Sequence, residues 1–165
     1  MSDYLDLLAH GAQITIESEY YEKAIHAENG EVSLKKAILN SKVNPIITEI
    51  KSASPSAGVI RANVDPAMIA KSMKKGGATG LSVLTEPKQF NGSLEALAQA
   101  RKAVNLPILM KDIILSPIQI YAASKLQEQS VRRTFRIFRR LGSCLISCFH
   151  KLLNFFFNVI IKHYC

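Results

Sequence analysis

The sequence predicts an α/β protein in which a parallel sheet is covered by helices, and three observations predict it. Short apolar runs alternate with amphipathic stretches of helical length. The runs are near-continuous in apolar residues rather than alternating, as strands covered on both faces require. Each amphipathic stretch opens on a helix-start signal, at Asp65-Pro66, Ser93 and Ser116-Pro117. On pattern alone this fits both a (β/α) barrel and an open doubly wound sheet.

The N-terminal region is polar, with helical stretches around 3–10 and 33–39. The first apolar run, residues 45–51, leads through a small-residue loop to Asp65, an N-cap followed by proline at the first helical position. That helix closes at Gly76-Gly77. The second run, LSVLT from Leu81, leads to Ser93 as N-cap and the helix SLEALAQARKAV, with Leu94, Leu97 and Ala98 at helical spacing. The third, PILMKDI from Pro107, leads to SPIQIYAASKL, where Ile118, Tyr121 and Ala122 are read as one face. Three strand-loop-helix units follow one another.

At 165 residues, 48% apolar and 21% charged, the chain is sized and composed for one folded domain. Its net charge of +8 is unevenly spread. Through Leu126 there are 14 Lys/Arg against 12 Asp/Glu, and after it 7 against 1. The first part therefore carries no nucleic-acid-type basic excess. Cys144, Cys148 and Cys165 all follow Leu126, so no disulfide framework is expected. Asp3 and Asp6 stand where a secretory signal would be basic and then apolar, and a cytoplasmic location is expected.

Chemistry enters at the strand ends. In ITEIK, residues two apart share a face, so Ile47, Glu49 and Lys51 point one way, with both charges at the carboxyl end. Leu109 and Lys111 share a face in the same way. If the sheet closes into a barrel, these charges meet at the mouth where such folds build their sites. The competing reading is a solvated ion pair worth roughly 0–1 kcal/mol with no chemical role.

At these residues the sequence resembles indole-3-glycerol-phosphate synthase. The stretch IITEIKSASPSAGVI is similar to that family's signature, and LSVLTEPKQFNGSLEAL and LPILMKDIILSPIQIYAA are similar to its second and third units. The resemblance runs to about Leu126. It implies the first three units of a (β/α)8 TIM barrel with an N-terminal helical extension. The implied reaction is ring closure of 1-(2-carboxyphenylamino)-1-deoxyribulose 5-phosphate with loss of carbon dioxide and water, without metal or organic cofactor. The implied partner is thus a phosphorylated small molecule, with neither nucleic acid nor membrane expected. By resemblance Lys111 is the general acid, Lys51 holds the substrate carboxylate, and Glu49 holds the two ammonium groups in place. Ser54 and Phe90 would line the substrate pocket. Ile113 departs from the family, most of whose members carry phenylalanine there.

After Leu126 the composition changes abruptly. Residues 127–165 hold six of the seven phenylalanines and every cysteine. The chain is accordingly divided into a barrel portion, 1–126, and a non-family tail, 127–165. A reading-frame shift near Leu126 is the expected origin of the tail, and a truncated, inactive synthase the expected product. The alternative takes the basic, apolar tail as the working part of a non-catalytic fragment. In that case RRTFRIFRR and the apolar stretch at 141–161 would contact a membrane surface or nucleic acid. His150, Lys151, Asn154 and Asn158 argue against a membrane span.

Overall fold

A computed structural model of the chain describes residues 4–24 and 32–127. Three strands form one parallel sheet: β1 (Ile47–Ile50), β4 (Gly80–Leu84) and β5 (Ile108–Lys111), in the order β1-β4-β5. The register pairs Glu49 with Ser82 and Ile50 with Val83, then Ser82 with Leu109 and Leu84 with Lys111. The predicted parallel sheet is therefore present, with the three apolar runs as its strands.

The register divides the sheet into two unlike faces. Ile50, Leu81, Val83, Ile108 and Met110 lie on one face and are all buried in the main apolar cluster. Each such side chain is worth roughly 1.5–3 kcal/mol when fully buried. The other face carries Ile47, Glu49, Ser82, Leu84, Leu109 and Lys111, and there Leu109 is 44% exposed. The hydrophobic core thus sits between sheet and helices.

The covering helices are α3 (Pro66–Lys75), α4 (Leu94–Ala103) and α5 (Pro117–Gln127). Asp65 caps α3 by accepting from the Met68 amide at 2.9 Å, and Ser93 caps α4 by accepting from Ala96 at 3.0 Å. Gly76 ends α3, as the sequence predicts. The face assigned to the last helix is corrected in part. Tyr121 is 56% exposed, with the Lys125 ammonium over its ring at 4.7 Å, while Gln119, Ala122, Ala123 and Leu126 face the core. A buried glutamine disguised that face.

Ahead of the sheet lie α1 (Tyr4–Glu17), a 3₁₀ turn at Tyr20–Lys23 and α2 (Leu34–Leu39). The first helix runs well past the predicted 3–10. Leu8, Ala12 and Thr15 bury one face at helical spacing, and the Thr15 hydroxyl donates to the Gly11 carbonyl at 2.9 Å. Packing overrides the weak helix propensity of Gly11 and the β-branched run that follows. The loop after β1 also holds a hairpin the sequence reading missed, β2 (Ala53–Ser54) with β3 (Gly58–Val59). Gly58, the first residue of β3, takes φ +62°, a left-handed conformation that glycine adopts without steric cost. The tail with its three cysteines, its basic flank and its apolar stretch lies outside the described residues. Among the described residues no helix is long and apolar enough to cross a membrane.

Candidate functional site

Glu49, Lys51 and Lys111 meet. The Lys111 ammonium donates to Glu49 Oε2 at 2.6 Å, and the Lys51 ammonium lies 3.3 Å from Oε1. Lys111 reaches Glu49 across the whole width of β4, two strand spacings or about 9.6 Å. On the same face β4 carries Ser82, paired in register with Glu49, and the buried Ser82 hydroxyl has no hydrogen-bond partner among the described residues. The three side chains keep 25 to 35% of their surface exposed, so the ion pairs are worth only about 1 kcal/mol each. Stability does not explain the arrangement. Two ammonium groups sharing one carboxylate leave the trio with net charge +1, at the carboxyl end of a parallel sheet, suited to drawing in an anion.

Two neighbouring loops frame this mouth. Ser54 accepts from the Ala57 amide at 3.2 Å and so closes the β2–β3 turn. Phe90 lies half-buried in the β4–α4 loop, and its carbonyl accepts from Ala53 at 3.2 Å, stitching the two loops together. The sequence reading missed the side chain that organises this second loop. Glu86 is buried, and its carboxylate accepts from the amides of Lys88 (2.9 Å), Gln89 (2.6 Å) and Phe90 (3.0 Å). Asn91 follows in the left-handed region at φ 48°, and Gly92 approaches β4 so closely that a Cβ would lie 2.4 Å from the Leu84 carbonyl oxygen. Of the five predicted site residues, three are in direct contact, while Ser54 and Phe90 sit in loops joined by one backbone bond.

Beside Lys111 is a buried polar network. Asp112 Oδ2 accepts from the Thr85 hydroxyl at 2.6 Å and from the Tyr21 hydroxyl at 3.0 Å, while Oδ1 accepts from the Ile113 amide at 2.8 Å. Burial pushes the Asp112 carboxyl from its ordinary 3.8 up to about 6, against the pull of those three hydrogen bonds. Burial, reinforced by the Asp112 charge, also pushes the Tyr21 phenol up. Gln119 holds the following loop, accepting from Leu115 (2.7 Å) and Ser116 (3.0 Å) and donating to the Ile113 carbonyl at 2.8 Å. Tyr20 packs edge-on against Tyr21, donates to the Thr85 carbonyl at 3.2 Å and accepts from the Leu94 amide at 2.9 Å.

The sequence profile of the family described as Indole-3-glycerol phosphate synthase matches residues 8–137. The chain belongs to this family. As a member of the indole-3-glycerol phosphate synthase family it is similar to proteins of that name from several bacteria. It is 54% identical to the one from Rippkaea orientalis over 88 residues, which is 53% of this chain and 30% of that protein. It is 42% identical to the one from Microcystis aeruginosa over 132 residues, 72% of this chain and 45% of that protein. The relative from Desulfosudis oleivorans is 49% identical over 92 residues, 56% of this chain and 35% of that protein. The chain thus spans between 30 and 45% of the length of these synthases. The synthase family is a TIM-barrel family, and the three parallel strands with their covering helices are consistent with part of such a barrel. Among the described residues no group of three His, Cys, Asp or Glu side chains could hold a metal ion.

Proposed function

We propose that this chain carries the carboxylate-anchoring and proton-donating part of an indole-3-glycerol phosphate synthase site. The observation that supports this most directly is the trio of Lys111, Glu49 and Lys51 on the open sheet face. The substrate class is an anilino-deoxyribulose phosphate bearing a ring carboxylate. The ring carbon that carries the carboxylate bonds to the ketone carbon. The carbonyl electron pair moves onto oxygen, and the Lys111 ammonium protonates it. Carbon dioxide then leaves and its bonding electrons return to the ring system, and loss of the new hydroxyl with a proton from the adjacent nitrogen-bearing carbon, together as water, completes the indole. Lys51 binds the carboxylate until it departs, and Glu49 keeps two like charges at one mouth. Ser54 and Phe90 border the pocket, Phe90 against the aromatic ring.

On its own the 165-residue polypeptide is proposed to be inactive. Its described residues supply three parallel strands, whereas a barrel of this class closes with eight and places its phosphate-binding loops after the last two. The test uses two proteins. The isolated chain is assayed for a substrate-dependent rise in indole fluorescence, with none expected. A chimera carrying residues 8–126 in place of the matching segment of the Microcystis aeruginosa relative is expected to turn over and to lose at least a hundredfold in kcat on Lys111→Ala, within the range of a general acid's contribution. Undiminished turnover in that variant would refute the assignment.

A further inference from the structure

We infer that Tyr21 is a positioning residue for Lys111, tying the N-terminal segment through Asp112 to the strand end that presents the acid. The inference rests on the reading of Lys111 given above, but its test does not use turnover.

The argument begins with a distance in sequence. Tyr21 and Asp112 are 91 residues apart, yet one buried hydrogen bond joins them. Asp112 directly follows Lys111 and points to the opposite side of the strand, so whatever fixes one fixes the backbone of the other. Thr85 completes the clamp, since its amide donates to the Lys111 carbonyl at 3.0 Å and its hydroxyl donates to Asp112 at 2.6 Å. On the far side Gln119 fixes Ile113, Leu115 and Ser116, the residues that follow Asp112. Tyr21 is therefore where the N-terminal segment meets the network that joins the ends of β4 and β5. Its neighbour Tyr20 takes a different route, to the Thr85 carbonyl and the Leu94 amide, and touches β5 nowhere in its hydrogen bonds. A strand end anchored on its buried side holds the Lys111 ammonium to Glu49 across β4. A hundredfold-scale loss can follow from a misplacement of about 1 Å in such a group.

The charged and titratable groups facing Asp112 are Tyr21 and Tyr20 from the 3₁₀ turn and Glu86 from the β4–α4 loop, while Lys111 stands on the opposite side of its own strand. The Tyr21 bond favours the ionised carboxyl, and Glu86 opposes it.

The experiment is NMR on the full 165-residue chain with labelled lysine, Lys111 being assigned by the signal missing in Lys111→Arg. In the wild type, the Lys111 side-chain carbon signals should shift with a midpoint near the Asp112 value of about 6, and the Tyr21 ring signals should share that midpoint. Tyr21→Phe keeps the ring and removes the hydroxyl. It should raise the midpoint by about one pH unit and speed exchange of the Lys111 ammonium protons about tenfold, the weight of one hydrogen bond to a charged group. Tyr20→Phe should change neither. A folded Tyr21→Phe chain with the wild-type midpoint and exchange rate overturns the inference, and so does a Tyr20→Phe chain that disturbs Lys111 equally. If Tyr21→Phe does not fold, the wild-type titration decides: separate midpoints at Tyr21 and Lys111 overturn the coupling.

Discussion

Replacing Asp112 by asparagine should change how stability depends on pH, and the size of the effect follows from its surroundings. Asp112 is 3% exposed, and its carboxyl is pushed from 3.8 up to about 6, burial being the largest cause. The folded protein therefore holds this proton more tightly than the unfolded chain does, so protonation favours the fold. The contribution is fully present below pH 3.8 and is lost as pH rises through about 6. Between those limits it amounts to roughly 3 kcal/mol, of which roughly 2–3 kcal/mol is recovered on going from pH 7.5 to pH 4. Asparagine cannot titrate, so the difference in unfolding free energy between wild type and Asp112→Asn isolates the group from every other carboxylate. Urea unfolding followed by circular dichroism, at half-unit steps from pH 4 to 8, measures that difference. It should move in favour of the wild type as the pH falls, with its onset near pH 6. A flat difference, or one moving the other way, would show that the carboxyl is not desolvated and would undo the account of the network around it.

Two further outcomes follow from the loops. Gly92→Ala places a Cβ 2.4 Å from a β4 carbonyl oxygen that cannot move aside, so it should cost about 1–3 kcal/mol and lift the loop that carries Phe90, seen as lowered Tm and lost amide protection at Gln89 and Phe90. Asp65→Ala removes the α3 cap bond to Met68 and should cost about 1 kcal/mol by denaturant titration, with the Lys111–Glu49 pair unaltered.

The strands and helices were legible because their signals are local. Asp65-Pro66, Ser93 and Gly76 each act within one helical turn, and the structure uses them as helix ends. The meeting of Glu49 with Lys111 was legible too, from two facts about spacing, although they stand 62 residues apart. What stayed hidden shares one character. Tyr21, Glu86, Asp112 and Gln119 are polar residues inside the protein, and their value lies in partners that no periodicity reveals. Gln119 broke the apolar pattern of α5 and drew Tyr121 onto a face it does not occupy. Glu86 reads in sequence as one more acid in a loop, and only the three amides aimed at it give it a task. The β2–β3 hairpin escaped because SASPSAG carries no alternating run of strand length, and its two-residue strands rest on Gly58.

The sheet whose one face is closed by its own helices has a bearing on how such a chain is made. Strand order β1-β4-β5 follows the order in which the parallel strands are synthesised, and each new strand finds its neighbour already laid down. The apolar layer between sheet and helices fills unit by unit, with no need to wait for residues far downstream. A nascent chain leaving the ribosome at about 5–20 residues per second can consolidate each unit as it emerges. During synthesis, then, the layer between sheet and helices closes without help from the opposite face, where Ile47, Leu84 and Leu109 stand beside the ionic Glu49 and Lys111.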